Sequence, residues 1–170
     1  MKTRIAADPG FVLRPVRLPD MADLVAMIRE LADFEHLSAE VKISPALLSK
    51  ALFGPGRVAY GLIALVGGKP AGYAIYYLTF STFVGRPGIY LEDIYVRPSC
   101  RKRGIGTAFM NRIAKTGSAK GYQRYEWTTL RWNKTARQLY KRLGARELRE
   151  WILLRTDVRK FGKPAKRSND

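Results

Sequence analysis

The stretch that decides the fold runs Ile89-Tyr90-Leu91-Glu92-Asp93-Ile94-Tyr95-Val96-Arg97-Pro98-Ser99-Cys100-Arg101-Lys102-Arg103-Gly104-Ile105-Gly106-Thr107. Ile89 to Val96 is rich in β-branched and aromatic residues and reads as a strand. Two consecutive carboxylates, Glu92 and Asp93, interrupt it, and strand alternation sends them to opposite faces. A carboxylate in mid-sheet is costly unless paired or used. The pair therefore reads either as ion-paired groups at a frayed strand end, or as a general base and cation anchor in a cleft. Arg97 to Arg103 is a basic loop. Gly104 and Gly106 then open a helix whose apolar face is Ile105, Phe109 and Ile113. Such a start aims free N–H groups and a positive dipole end outward beside three cationic side chains, which suits a phosphate. An ordinary glycine loop with solvated charges would carry the same residues. It is not a P-loop, since no Gly-Lys-Ser/Thr follows, and Phe109 stands where a dinucleotide fingerprint needs glycine.

Upstream, residues 11–16 read as a first strand. Asp20 is expected to cap a helix with Met21, Leu24, Val25, Ile28, Leu31 and Ala32 on one face. A second helix opens at Ser44-Pro45 and stops at Gly54-Pro55-Gly56. Val58–Val66 and Ala71–Phe80, joined through Gly67-Gly68-Lys69-Pro70, read as a hairpin, and Gly85 to Gly88 as the next turn. Downstream, Tyr125 to Leu130 reads as a strand, Asn133 to Leu143 as a helix with Gly144 closing it, and Glu147 to Arg155 as a last strand or pair. The order β-αα-βββ-α-β-α-β predicts an α/β domain with a central mixed sheet of six to seven strands and about four helices. The reading is one domain over 11–158, with a 1–10 extension and a basic, disordered 159–170 tail.

The 170 residues suit one domain with a full core. The charge is uneven. Of the net +17, +16 lies in residues 94–170, which hold 21 basic and five acidic residues. An anionic partner follows: a phosphorylated cofactor, a nucleic acid or a membrane surface. One cysteine, Cys100, and one histidine, His36, leave no disulfide, no Cys- or His-based metal site and poor material for a Ser-His-Asp or Cys-His enzyme. Without a signal-peptide core or an apolar run long enough to span a bilayer, the expectation is a soluble cytoplasmic protein. Taken locally, Tyr140 reads as a core aromatic of its helix.

Together, a strand, Arg101-x-x-Gly104-x-Gly106, a helix, a strand, and then Asn133 with an Ala136-x-x-x-Tyr140 helix closed by Gly144-Ala145 resemble the GNAT N-acetyltransferase superfamily. Arg29 to Glu35, Tyr76 to Phe83, Tyr90 to Val96 and Trp132-Asn133 with Tyr140 to Ala145 are similar to its diamine acetyltransferases, which include spermidine/spermine and thialysine-type enzymes. The resemblance implies direct attack of an amine on acetyl-CoA in a ternary complex, with no metal. It puts the cofactor phosphates on Arg101, Lys102, Arg103, Gly104, Ile105, Gly106 and Thr107. The pantetheine would pair with Ile94, Tyr95 and Val96, with the Ile94 N–H facing the oxyanion. Asn133, Thr135, Ala136 and Tyr140 would line the groove. Chemistry adds two demands, a base for the ammonium and an acid for the thiolate, to which Glu92 and Tyr140 are assigned. Phe34, Glu35, Glu92, Asp93, Glu126 and Glu150 would bind the substrate, with Trp151 a further wall. Polyamine-specific members carry an acidic residue and a Trp where Ser81-Thr82-Phe83 stands, which favours a short diamine or a lysine- or ornithine-like amino acid here. The resemblance also implies a homodimer. A protein acceptor and a basic nucleic-acid-binding protein are the alternatives.

Overall fold

A computed structural model of the chain describes residues 10–162. The expected disorder of 163–170 and the extension over 1–9 lie outside them. The chain divides into two compact units, Met1–Leu130 and Arg131–Asp170.

In the first unit, β1 (Val12–Pro15) is followed by α1 (Met21–Phe34) and α2 (Pro45–Phe53). Then come β2 (Tyr60–Val66), β3 (Lys69–Ser81), β4 (Arg86–Val96), α3 (Ile105–Ala119) and β5 (Arg124–Trp127). The sheet order is the chain order, β1 to β5. The first four strands are antiparallel, and β5 returns through α3 to lie parallel to β4, a crossover that a hairpin could not make. Gly67 and Gly68, both at positive φ, supply the tight turn of the β2–β3 hairpin. Leu24 and Met27 of α1, Leu48 and Leu52 of α2, and Ile63, Tyr73 and Tyr95 of the sheet form a buried core. Ile105, Phe109 and Ile113 are the buried face of α3, and Gly117 brings that helix against Ile89.

Asp20 stands at the N-cap of α1, but its carboxylate does not cap it. It closes a 3₁₀ turn and so has helical backbone angles, which turn the side chain away from its own first-turn N–H groups. It accepts instead from both Arg14 terminal nitrogens, at 2.7 and 2.8 Å, and from the Arg17 N–H at 2.7 Å. The Arg14 hydrogen bond holds its pKa below the usual range despite burial. Ser44 caps α2 as expected, accepting from Leu47 N–H.

In the second unit, Asn133 caps α4 (Lys134–Arg142) by accepting from the Ala136 N–H at 3.2 Å. Gly144 takes φ +86°, so Ala145 donates back to the Tyr140 carbonyl at 3.0 Å and Gly144 to Lys141 at 3.1 Å. This is the doubly bonded helix ending that glycine favours, and it clamps the turn that carries Tyr140.

The expected strand or pair over Glu147 to Arg155 is not formed, and the sheet has five strands rather than six to seven. A strand exists only through a ladder partner, and among the described residues this apolar stretch has none. At the start of the expected disordered tail, Val158–Lys160 is a short 3₁₀ turn capped by Asp157.

A Cβ built on Gly72 would lie 2.5 Å from the Tyr95 carbonyl oxygen, a backbone atom that cannot step aside. Gly72→Ala is therefore expected to lower stability by about 1–3 kcal/mol, read as a lower urea midpoint. An unchanged midpoint would mean that β3 and β4 can separate locally.

Candidate active site

The site of the first unit is built around an irregularity in β4. The β3–β4 register pairs Tyr76 with Leu91 and Ile75 with Asp93, so Glu92 is an extra residue, a β-bulge. Ile75 and Tyr76 face opposite ways, and so must Leu91 and Asp93. The expectation that alternation separates Glu92 from Asp93 is corrected by this bulge. The Glu92 charge acts on Asp93 and also on Tyr77, which shares the Ile75 face. The two carboxylates work on one side of the sheet.

The bulge also marks where β5 leaves. Its ladder with β4 ends at Leu91↔Trp127. Beyond that rung, Ile94, Tyr95 and Val96 pair with Ala74, Tyr73 and Gly72 of β3, and among the described residues no strand flanks their other edge. An extended ligand could form a ladder there.

Asp93 is mostly buried, and its pKa is pushed up to about 6. Burial is the largest cause; the Glu92 charge and, more weakly, that of Glu35 add to it, while a hydrogen bond from Tyr73 opposes them. Tyr73 donates its hydroxyl to Asp93 Oδ2 at 3.3 Å. Glu35 ends α1, where His36 takes φ +60° and Leu37 donates back to the Ala32 carbonyl at 2.8 Å. Burial raises its pKa as well. Glu35, Glu92 and Asp93 thus share an acidic neighbourhood fit for a cation. Among the described residues, no cluster of three His, Cys, Asp or Glu side chains could hold a metal ion.

Phe34 and the basic loop meet through Arg101. Its guanidinium lies 5.3 Å from the centre of the Phe34 ring and 6.0 Å from that of Tyr95, and its Nε donates to the Val96 carbonyl at 3.0 Å. Arg97 anchors the loop to α1, its Nη2 donating to Glu30 at 2.8 Å, and to β3, its Nη1 donating to the Pro70 carbonyl at 2.9 Å. Lys102 at φ +62° and Gly104 at φ +81° make the turn into α3. Ala108 is the first residue to donate within that helix, to Gly104 O at 2.9 Å. The N–H groups of Ile105, Gly106 and Thr107 precede it and have no helical acceptor. With Arg101, Lys102 and Arg103 exposed beside them, the donor set fits a pyrophosphate.

Glu126 is paired in register with Tyr90, one rung before the Leu91↔Trp127 pair at which the bulge begins. In the second unit, Tyr140 is the buried residue of α4, Asn133 and Ala136 form its cap, and Thr135 lies in its first turn. Glu150 and Trp151 are exposed in the segment without regular structure. Tyr73 was missed in the sequence. A tyrosine in a strand reads as core, and its link to Asp93, 20 residues away, needs the register.

Residues 25–145 match the model of the Acetyltransferase (GNAT) family. The chain is 41% identical over 154 residues to the thialysine N-epsilon-acetyltransferase of Mus musculus, covering 84% of this chain and 90% of that protein. It is 33% identical over 85 residues to the L-ornithine N5-acetyltransferase of Arabidopsis thaliana, spanning 50% of this chain and 37% of that one. An integron cassette protein from the mobile metagenome of V. cholerae superposes with a TM-score of 0.72 at 26% identity, over 87% of this chain and 93% of that chain. A five-stranded mixed sheet, a bulged β4 with an open edge, a phosphate-ready helix start and this sequence match lead to one conclusion: the chain belongs to the GNAT family of acetyltransferases.

Proposed function

We propose that the protein transfers acetyl from acetyl-CoA to a primary amine of a lysine- or ornithine-like amino acid or a short diamine. The observation that carries the acceptor class is the acidic neighbourhood of Asp93, Glu92 and Glu35 at the β4 bulge. An acceptor with a second cationic centre answers it, and the similarity to thialysine and ornithine acetyltransferases supports the same class.

When bound, acetyl-CoA supplies an activated thioester. The N–H groups of Ile105, Gly106 and Thr107 and the side chains of Arg101, Lys102 and Arg103 hold its phosphates, with Gly104 allowing the turn. Ile94, Tyr95 and Val96 offer their open edge to the pantetheine arm, and the Ile94 N–H stabilises the oxyanion. Asn133, Thr135 and Ala136 line the cofactor from their helix start. Glu92, directly or through water, removes the proton from the acceptor ammonium. The freed amine forms the C–N bond as the C–S bond breaks, and Tyr140 gives its proton to the departing sulfur. The nitrogen's remaining extra proton passes, directly or through water, to the tyrosinate, which restores the phenol. Asp93 and Glu35 hold the distal cation with Phe34 as a wall, Glu126 and Glu150 being the outlying carboxylates.

We extend the reading to a cytoplasmic homodimer. Among the described residues, no helix is long and apolar enough to cross a membrane. Trp151, Ile152, Leu153 and Leu154 are 67–86% exposed, a contiguous apolar stretch that a second copy would cover. Light scattering of the full chain tests this, and a monomer at micromolar concentration would refute it. Nucleic-acid binding has no support beyond charge.

Release of CoA from acetyl-CoA, followed with a thiol reagent against basic amino acids, diamines, polyamines and peptides, tests the central reading. Amino acids with a terminal amine and short diamines should stimulate release most. Stimulation by peptides alone would favour a protein acceptor, and none by any amine would sink the proposal.

A further inference from the structure

We propose that Tyr73 is a positioning residue for acetyl transfer, whose hydroxyl holds the Asp93 carboxylate ionised and aimed at the cationic end of the acceptor. The inference rests on the amine-acetylating reading above and concerns a residue outside the roles given there.

The register builds the contact. Tyr73 pairs with Tyr95 and Ile75 with Asp93, so Tyr73 and Asp93 are diagonal neighbours on one face of the β3–β4 ladder. They share a face only because the Glu92 bulge turns Asp93 toward the α1 side. Tyr73 is 0% exposed, and its ring lies 6.3 Å from that of Tyr95, centre to centre, so the phenol cannot swing away. A buried hydroxyl needs an acceptor, and Asp93 Oδ2 supplies it at 3.3 Å.

Around Asp93, Glu92 on its own strand and Glu35 at the end of α1 both favour its protonated form, as burial does. The Tyr73 hydroxyl from β3 acts the other way. Burial, with the Asp93 charge behind it, raises the phenol's own pKa further above neutrality, so the hydroxyl keeps its proton while Asp93 titrates. A phenylalanine would fill the same core volume without bringing a polar group inside. The hydroxyl is explained by the carboxylate it holds, and a protonated Asp93 would attract an ammonium ion poorly.

Tyr73→Phe keeps the ring and removes the donor. In kcat/KM for the amine, the acid limb should move to higher pH by about one unit or more. At pH 6.5 the amine KM should rise at least about threefold, the fall in the ionised fraction of Asp93 for a one-unit shift, while the acetyl-CoA KM stays within a factor of two. In an Asp93→Asn background the same change should add no further effect on amine KM. A wild-type protein that no amine stimulates would bring down the acetyl-transfer reading and this proposal with it. An active wild type whose Tyr73→Phe variant keeps the acid limb and amine KM would overturn the Tyr73 assignment alone. One measurement needs no variant: in the wild type, the Tyr73 Cζ and Asp93 Cγ resonances should titrate with a common midpoint, and a Tyr73 signal flat from pH 4 to 8 would overturn the assignment.

Discussion

Tyr140→Phe is expected to lower kcat roughly 10²–10⁴-fold, the usual contribution of a positioned acid, with the fold intact. The departing thiolate is stabilised by a proton, and a phenol with an ordinary pKa of about 10 can give one at neutral pH. The substitution removes one oxygen from a side chain buried on α4, and its ring keeps its packing. The backbone there is held independently by the Asn133 cap and the Gly144 closure, neither of which uses the hydroxyl. Steady-state kinetics with the best amine, beside circular dichroism of both proteins, make the comparison. A variant within a factor of two of wild type would remove Tyr140 from the mechanism.

Asp93→Asn should make the protein more stable and less active at once. The ordinary aspartate pKa is 3.8, and burial, with the Glu92 charge behind it, lifts that of Asp93 to about 6. Between these values the unfolded chain has released a proton that the folded chain keeps. Stability therefore falls as pH rises through that window, and the loss is complete above it. A gap of about two units at ~1.36 kcal/mol each puts the cost of ionised Asp93 on the order of 3 kcal/mol. Asparagine cannot ionise. Urea unfolding should show a gain of about 1–3 kcal/mol at pH 8 and little difference at pH 4. Loss of the carboxylate should raise the amine KM at least roughly tenfold at pH 8. Equal destabilisation at both pH values would mean that Asp93 serves the fold and not the acceptor.

The two predictions sit at opposite ends of what could be read in advance. The helix of Tyr140 was legible down to its caps, because Asn133 and Gly144 act within a few residues of the turns they close. The loop from Arg101 to Thr107 was legible for the same reason. Asp93 could be named as a candidate but not understood. Alternation placed it across the sheet from Glu92, and only the bulge brings the two charges to one side. Asp20 shows the same boundary on a small scale. Its place before α1 was readable, but Arg14 competes for its carboxylate and wins.

Of the uneven charge, Arg101, Lys102 and Arg103 stand exposed at the start of α3, where the proposed cofactor phosphates would meet them. From sequence alone followed the α/β class, the elements up to α4, the caps of α2 and α4 and the glycine turn into α3, since each depends on periodicity or on residues a turn apart. Tertiary structure alone decided which carboxylates share a face, which tyrosine serves Asp93, where β4 is left open by a short β5, and that Glu147 to Arg155 finds no ladder. These depend on strand register and on partners distant in the chain, and one inserted residue in β4 reverses every facing that simple alternation would assign after it.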